Sequence, residues 1–351
     1  MKKKKRVLKK PVLLIIIIGI IIIIIFNINN KENTKNNKYS FSENDIINKL
    51  SNDEKDIINS EEYNKNLVYI LNSKDYKKEN LKLYLKYTNK YSISYDRIIS
   101  LVNKYGDKIN DDIIKFALEK YFIFDNLDRY INYYNNNKDL SYSEVITRVN
   151  SKLDYKFYDD SEACDLSKGM YSLVNKFYYL DKDYVPLNLV TITGKYAKDS
   201  AKLVDVAYEN FVKMADSAFE DGLVIKITTG YRSYNFQSTL YNNYVRLDGI
   251  KNADTYSARP GYSEHQLGYS ADLTNKDNVS FAQFDTTKEF KWLNENAYKY
   301  GFIMRYPKEK EYITGYVYES WHYRYVGVDI AKYIHDNNIT YEEYYEYFLS
   351  K

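Results

Sequence analysis

Two short stretches contain most of the side chains that could carry out chemistry. Residues 261–272 include His265 and Asp272, and residues 319–322 read Glu-Ser-Trp-His and end at His322. The chain has three histidines, and two of them lie here, each with a carboxylate at close spacing. A catalytic zinc ion takes three protein ligands of N or O type and keeps a fourth position open for water. His265, Asp272 and His322 would supply two imidazoles and one carboxylate.

Glu319 is the candidate general base of such a site. It precedes His322 by three residues, so it would stay near the metal while remaining free to accept a proton. The predicted chemistry is metal-assisted hydrolysis, in which the pKa of the bound water falls from 15.7 toward about 7. The alternative for each histidine alone is a hydrogen-bonded residue in an aromatic core. The pairing of two histidines with two matched acids favours the metal site.

Both stretches follow the motif of a known family, with the positions Ser263-x-His265-x-x-Gly268-x-x-x-Asp272 and Glu319-x-x-His322. This motif resembles that of the VanY-type zinc D-Ala-D-Ala carboxypeptidases, which are LAS-type peptidases of family M15. The resemblance runs from near Leu173 to near Gly327. It implies a Zn²⁺ cofactor and removal of the terminal D-Ala from peptidoglycan stem peptides. One departure is Ser270, where the family usually has alanine, and its hydroxyl needs a hydrogen-bond partner if it is buried.

Arg232 is the candidate for stabilising the negative charge that develops on the scissile carbonyl. It follows a predicted strand and Gly230, and the family has a similar Gly-Tyr-Arg-Ser stretch. A surface ion pair is the alternative for Arg232. Further candidates would contact the substrate. Ser263 and Gln237 are expected near its terminal carboxylate, and Arg259 is another candidate for binding that carboxylate. Tyr231 and Trp321 are expected around an alanine methyl group. His335 matches no part of the metal motif and is expected on the surface.

The elements around these residues predict an α+β fold. Residues 195–221 read as a helix with an apolar face, and residues 223–227 read as a buried strand that ends before Gly230. A helix follows through Gln237 and Tyr241, and apolar alternation resumes around residues 316–318. Helices and strands mix without a regular βαβ rhythm, which favours an antiparallel sheet. We therefore expect a zinc D,D-carboxypeptidase domain over residues 155–351.

Residues 1–30 read as a basic flank followed by a transmembrane anchor. Lysines and Arg6 precede an unbroken apolar run over residues 12–26, near the lower limit of a membrane span. A cleaved signal peptide is the alternative, but no small-residue cleavage site follows the run. The basic end should lie in the cytoplasm, which makes the protein a single-pass membrane protein with its catalytic domain outside. Residues 31–40 read as a solvated stalk.

Residues 41–154 are predicted to form a small helical domain with internal repeats. A pattern that begins at Asn80 and passes Ser94 recurs from Asn126 past Ser141, at an offset of about 47 residues, typical of two-helix repeats. Ser94 and Ser141 are expected to cap helices. Residues 41–47 resemble a weaker, earlier copy of the same pattern. The domain is interpreted either as a spacer or as a docking surface for wall polymer or a protein.

Composition excludes several other classes of protein. The net charge of +3 comes from the basic residues before Pro11, and no basic stripe follows, so nucleic acid is not an expected partner. The single cysteine, Cys164, excludes an internal disulfide and is expected to be buried. Two alternatives remain for function: an L,D-carboxypeptidase acting on tetrapeptide stems, and a non-catalytic wall-binding module with a structural metal. The sequence leaves the oligomeric state open.

Overall fold

The computed structural model describes residues 38–350. The described residues divide into two compact units, with the division between Leu118 and Glu119. The boundary predicted between residues 154 and 155 lies within the second unit. The predicted anchor and most of the stalk lie outside the described residues. Within those residues, no helix combines the length and the apolarity that crossing a bilayer requires.

The described part of the first unit, residues 38–118, contains helices and no strands. Its helices are α1 (Phe41–Ile47), α2 (Asn52–Ser60), α3 (Leu67–Leu71), α4 (Leu81–Lys90), α5 (Tyr95–Tyr105) and α6 (Asp111–Leu118). Helix α5 begins after Ser94, as predicted, because the Ser94 hydroxyl accepts a hydrogen bond from the backbone N–H of Arg97. The buried residues of α5 are Ile98, Ile99, Leu101 and Val102. Their spacing forms one apolar face directed into the helical core.

The second unit begins with α7 (Leu127–Asn136) and α8 (Tyr142–Asn150). Ser141 caps α8 through a reciprocal pair of hydrogen bonds with Glu144. The two copies of the predicted repeat contain matching side-chain hydrogen bonds. In each copy, an asparagine of the second helix accepts hydrogen bonds from a tyrosine and from another asparagine. These trios are Tyr84, Asn80 and Asn103 in the first copy and Tyr130, Asn126 and Asn150 in the second.

The rest of the second unit surrounds an antiparallel sheet, which confirms the predicted α+β class. Its elements are β1 (Glu162–Ala163), β2 (Tyr178–Tyr179), β3 (Leu189–Ile192), β4 (Ala201–Val204), α9 (Asp205–Glu220), β5 (Ile225–Thr229), α10 (Tyr234–Tyr256), β6 (Ser270–Asn275), α11 (Lys288–Asn296), β7 (Phe302–Tyr306), α12 (Glu311–Thr314), β8 (Glu319–Tyr325), α13 (Val328–Asn337) and α14 (Tyr341–Tyr344). The main sheet has the order β5-β6-β8-β7, and every neighbouring pair is antiparallel. β3 and β4 form an antiparallel pair, and β1 and β2 a short parallel one.

The helix predicted over residues 195–221 starts later than expected. Residues 201–204 form β4 instead, because they pair with β3 in the register Ala201↔Ile192 to Val204↔Leu189. The apolar spacing at these positions is short enough to fit a strand as well as a helix. The remaining part, α9, buries Ala207, Phe211 and Ala215 as predicted. These residues share a core with Ile227 of β5 and Leu273 of β6, so α9 supports the strands that carry the site.

Candidate active site

The two motif stretches meet because β6 and β8 are neighbours in the sheet. Asp272 on β6 and His322 on β8 are direct partners in the register. Residues directly opposite each other in an antiparallel pair have Cβ atoms about 4.5–5.5 Å apart and point to the same face. His265 lies on the single 3₁₀ turn Glu264–Leu267, which leads into β6. Gly268 ends that turn at φ +78°, a conformation that favours glycine.

The three predicted metal ligands form one compact, buried group. His265 Nε2 lies 3.4 Å from Asp272 Oδ1, and His322 Nδ1 lies 3.3 Å from the same oxygen. The candidate ligand atoms all lie within 4.8 Å of one another. All three residues are buried: His265 is 1% exposed, Asp272 5% and His322 4%. Side chains from three separate segments therefore converge with their N and O atoms facing one point.

The hydrogen bonds of this group fit a zinc ion. The Nδ1 of His265 donates to the carbonyl oxygen of Gly230 at 2.7 Å, which leaves Nε2 with a lone pair directed at the group. Within the described residues, His265 Nε2 and Asp272 Oδ1 are buried without a hydrogen-bond partner. Buried polar atoms without a partner are costly, and a cation between them would satisfy both. Two imidazoles and a carboxylate are also ligands that Zn²⁺ commonly takes in catalytic sites.

The pKa shifts of the group follow from burial and from its charges. Burial lowers the pKa of His265 to about 4, and the nearby Arg232 adds to this. Burial also disfavours the charged form of His322, but the adjacent carboxylates of Asp272, Glu264 and Glu319 outweigh it and raise the pKa of His322 to about 10. Burial alone would raise the pKa of Asp272, yet the two histidines hold it well below its usual range. The carboxylates thus give the site a preference for positive charge.

Glu319 lies beside the candidate metal ligands, with Oε2 3.4 Å from His322 Nδ1. In a regular strand, residues three apart would point to opposite faces. Here the β7–β8 register shifts between Met304↔Tyr323 and Tyr306↔Glu319, so β8 bulges and brings Glu319 to the side of His322. Glu319 is 8% exposed, and burial raises the pKa of its carboxyl above the ordinary value of 4.5. A carboxylate with a raised pKa is suited to accept a proton from water.

A cavity of about 550 Å³ opens over this group. Its lining includes the metal-binding trio and Glu319 together with the predicted residues Arg232, Gln237, Ser263 and Trp321. Trp321 stacks on Phe281, with ring centroids 4.9 Å apart, and the pair forms an aromatic wall. Tyr231 is not among the lining residues, and its backbone N–H donates to the carbonyl oxygen of Lys202 at 2.6 Å. The cavity has the size of a small-molecule or peptide site.

Arg232 is held at the edge of the metal group. Its NH2 lies 3.6 Å from Asp272 Oδ2, and its NH1 donates to Gln237 Oε1 at 3.0 Å. The Nε2 of Gln237 donates to the carbonyl oxygen of Ala258 at 2.7 Å. The Gln237 amide is therefore engaged at both ends, and it orients Arg232. This arrangement differs from the role in carboxylate binding expected from the sequence.

Four other expectations have clear outcomes. The buried Ser270 hydroxyl has the partner that it requires, since it donates to Glu264 Oε2 at 3.3 Å. Arg259 donates to both carboxylate oxygens of Asp254, at 3.0 and 2.8 Å, and does not line the cavity. His335 is a surface residue, as predicted, with a 44% exposed side chain. Cys164 is buried, and burial raises its pKa to about 11.

Sequence reasoning missed the residues that lie beneath and beside the ligands. The Tyr306 ring packs against the His322 ring with centroids 4.9 Å apart. The carboxylate of Glu264 contacts two buried arginines, Arg305 and Arg324. The available signal was an arginine between apolar or aromatic neighbours in each strand, Arg305 between Met304 and Tyr306 and Arg324 between Tyr323 and Tyr325. Without the sheet register, that signal does not indicate which acid each arginine meets.

Residues 200–328 match a family model described as VanY, D-alanyl-D-alanine carboxypeptidase. The chain is also 40% identical over 199 residues to the putative carboxypeptidase YodJ of Bacillus subtilis (strain 168), an alignment covering 55% of this chain and 73% of that relative. The chain belongs to the VanY family of carboxypeptidases. Members of this family are zinc enzymes that act on peptidoglycan peptides, and the donor set described above matches that metal.

Two solved structures are also similar to this chain. The LD-carboxypeptidase LdcB is 40% identical, with coverage of 55% of this chain and 92% of that chain and a TM-score of 0.49. A vancomycin resistance D,D-pentapeptidase VanY in complex with Zn(II) is 30% identical, with coverage of 50% and 98% and a TM-score of 0.43.

Proposed function

We propose that this chain is a zinc-dependent carboxypeptidase that releases the terminal D-Ala from peptidoglycan stem peptides, with Glu319 as general base. The observation that carries the proposal is the position of Glu319. It is not needed to complete the three-residue ligand group, yet a bulge in β8 brings it 3.4 Å from a ligand nitrogen. A structural zinc is usually closed by four protein ligands, so a three-ligand group with an acid beside it disfavours a non-catalytic wall-binding module.

Each residue of the site has a distinct task in this reaction. Zinc held by His265, Asp272 and His322 would lower the pKa of a water molecule and polarise the scissile carbonyl. The Glu319 carboxylate accepts a proton from the attacking water and then donates it to the leaving amine of D-Ala. The guanidinium of Arg232 stabilises the negative charge that develops on the carbonyl oxygen, a contribution of about 10²–10³ in kcat for comparable donors.

The substrate occupies the cavity with its carboxyl terminus toward Ser263. The Ser263 hydroxyl can donate a hydrogen bond to the terminal carboxylate. Trp321 and Phe281 form a flat apolar wall beside the ligands, suited to the alanine methyl group. Gln237 supports binding indirectly, because it fixes the guanidinium of Arg232.

A pentapeptide stem, ending in D-Ala-D-Ala, is the first candidate substrate. A tetrapeptide stem is the second, and cleaving it would make the protein an L,D-carboxypeptidase. The tetrapeptide carries a long diamino-acid side chain next to the scissile bond, and the cavity volume of about 550 Å³, with apolar lining from Phe236 and Leu240, offers room for it.

Digestion of both stems by the zinc-loaded full chain tests the proposal and separates the two candidates. Mass spectrometry of the products and quantitation of free D-Ala are the readouts. We expect the pentapeptide to lose one D-Ala. Cleavage of the tetrapeptide alone would assign L,D specificity, and no release of D-Ala from either stem would contradict the proposed function.

We propose that the catalytic unit works outside the cell membrane, anchored by residues 1–30. The basic flank and the apolar run in the sequence support this placement, as does a substrate that belongs to the cell wall. Membrane fractionation and protease treatment of intact cells provide the test. Recovery of the full chain in the soluble fraction, or complete protection from external protease, would contradict it.

A further inference from the structure

A cluster of four charged side chains lies beneath the metal group. We call it the buried ion cluster, and its members are Glu264, Arg305, Arg324 and Glu342. Their side chains are 0%, 0%, 0% and 3% exposed, respectively. Arg305 joins the two acids, since its Nε donates to Glu264 Oε1 at 2.8 Å and its NH1 and NH2 donate to Glu342 at 2.8 and 2.5 Å. Arg324 NH1 lies 3.2 Å from Glu264 Oε1.

The cluster reaches the metal group through Glu264. While Oε1 of Glu264 meets the two arginines, Oε2 accepts a hydrogen bond from Ser270 and lies 3.9 Å from His322 Nε2. The other ring nitrogen of His322, Nδ1, faces Asp272. Glu264 therefore lies on the far side of the imidazole ring from the ligand atom. Carboxylates in this position orient metal-binding histidines and increase their basicity.

The charges of the buried ion cluster cancel. Glu264 contributes one negative charge against the two guanidinium groups that contact its Oε1, Arg305 at 2.8 Å and Arg324 at 3.2 Å. Glu342 then balances the second guanidinium. Without the Glu342 charge, the cluster would keep one uncompensated positive charge, fully buried beside His322. Buried charges without a partner are strongly unfavourable, and a positive one would also repel a divalent cation nearby.

Glu342 comes from a segment outside the part of the chain that matches the family model, which ends at residue 328. It lies on α14, whose start is capped by Thr340 and Glu343 through reciprocal hydrogen bonds. Asn175 also donates to Glu342 Oε1, at 3.3 Å. The carboxylate is thus fixed from two sides, and it points at Arg305 instead of solvent.

We propose that Glu342 is a positioning residue of the zinc site, which acts through Arg305 and Glu264 to orient His322 and to keep the floor of the site neutral. The zinc affinity of the family-matched region accordingly depends on a carboxylate supplied by the C-terminal helix α14. The proposal rests on the zinc site and is independent of which stem peptide is cleaved.

The test is the zinc dissociation constant of the full chain, measured by competition with a chromophoric chelator. We expect Glu342→Gln to bind zinc about 10- to 100-fold more weakly than the natural chain. Glu346→Gln is the matched control, because Glu346 is also a buried carboxylate of the C-terminal segment but accepts from Tyr178 at 2.7 Å. Its zinc affinity should stay close to that of the natural chain. Thermal unfolding of each preparation reports stability separately.

A charge-restoring variant distinguishes positioning and charge balance from general damage to the fold. Arg305→Gln combined with Glu342→Gln removes one positive and one negative charge, and should bind zinc more tightly than Glu342→Gln alone. Equal zinc affinity in Glu342→Gln and the natural chain would overturn the proposal. An equal loss of zinc affinity in Glu346→Gln would also overturn it, as would a double variant that binds zinc no more tightly than Glu342→Gln. If Glu342→Gln does not fold, Glu342→Asp decides, since its shorter side chain should weaken zinc binding and an unchanged affinity would contradict us.

Discussion

Gly230→Ala is a small change that should disturb the metal site through the backbone. A Cβ at this position would lie 2.2 Å from the carbonyl oxygen of Lys202 and 3.0 Å from its carbon. Real Cβ atoms essentially never approach closer than 3.0 Å, so either β4 or the end of β5 must shift. The contact is with backbone, and no flexible side chain can relieve it.

The shift would reach two parts of the site at once. The carbonyl oxygen of Gly230 accepts the hydrogen bond that sets the tautomer of His265, at 2.7 Å. The carbonyl oxygen of Lys202 accepts from Tyr231, the residue before Arg232, at 2.6 Å. Overpacking of this kind costs about 1–3 kcal/mol of unfolding free energy. Loss of a bond to a ligand histidine weakens metal binding by about 10- to 100-fold.

Zinc competition and thermal unfolding of the full chain measure both effects. We expect weaker zinc binding and a melting temperature lower by roughly 2 to 12 °C. Gly222→Ala is the control, because a Cβ there meets nothing within 4 Å but the backbone has φ +77°. It should lower stability and leave zinc affinity unchanged. Natural zinc affinity in Gly230→Ala would refute the reasoning about the His265 hydrogen bond.

Three further predictions concern the base, the ligands and the repeat. Glu319→Gln should lower kcat for stem-peptide turnover by about 10²–10⁴-fold, while metal analysis should show that zinc is retained. Full turnover in this variant would exclude Glu319 as the base. Zinc binding to the metal-free chain at pH 7 should release about one proton, because His322, with its pKa raised to about 10, is protonated whereas His265, at about 4, is not. Zinc affinity should therefore rise with pH, about tenfold per pH unit between roughly pH 5 and 9. Calorimetry in buffers of different ionisation enthalpy measures the proton release, and detection of no released proton would contradict this. Asn150→Ala removes the acceptor of the Tyr130 hydroxyl and should lower the unfolding free energy by about 1–3 kcal/mol in denaturant titration, with no change as the opposing outcome.

The sequence indicated the candidate ligands and the candidate base because these residues lie in two short stretches with close spacing. His265 and Asp272 belong to one turn and strand, and Glu319 and His322 belong to another strand. The chain has few histidines, so the possible combinations were limited. The bulge that turns Glu319 toward the ligands was not visible, since it depends on pairing between β7 and β8.

The parts that sequence reasoning missed depend on contacts between distant segments. Arg305 and Glu342 are separated along the chain and meet only after α14 packs beneath the sheet. Gln237 was assigned to substrate because its amide matches a polar position, but only the structure shows that both ends of that amide are engaged. The start of α9 was misplaced because the apolar spacing of residues 201–204 fits a strand as well, and pairing with β3 decides it.

Metal content is the measurement that tests the central claim most directly. The full chain, purified in zinc and dialysed, should contain about one zinc per molecule by mass spectrometry. Asp272→Asn keeps the size of the side chain but removes the charge, so it should lose both the zinc and the release of D-Ala. An Asp272→Asn chain that retains stoichiometric zinc and normal D-Ala release would contradict the assignment of His265, Asp272 and His322 as the metal site.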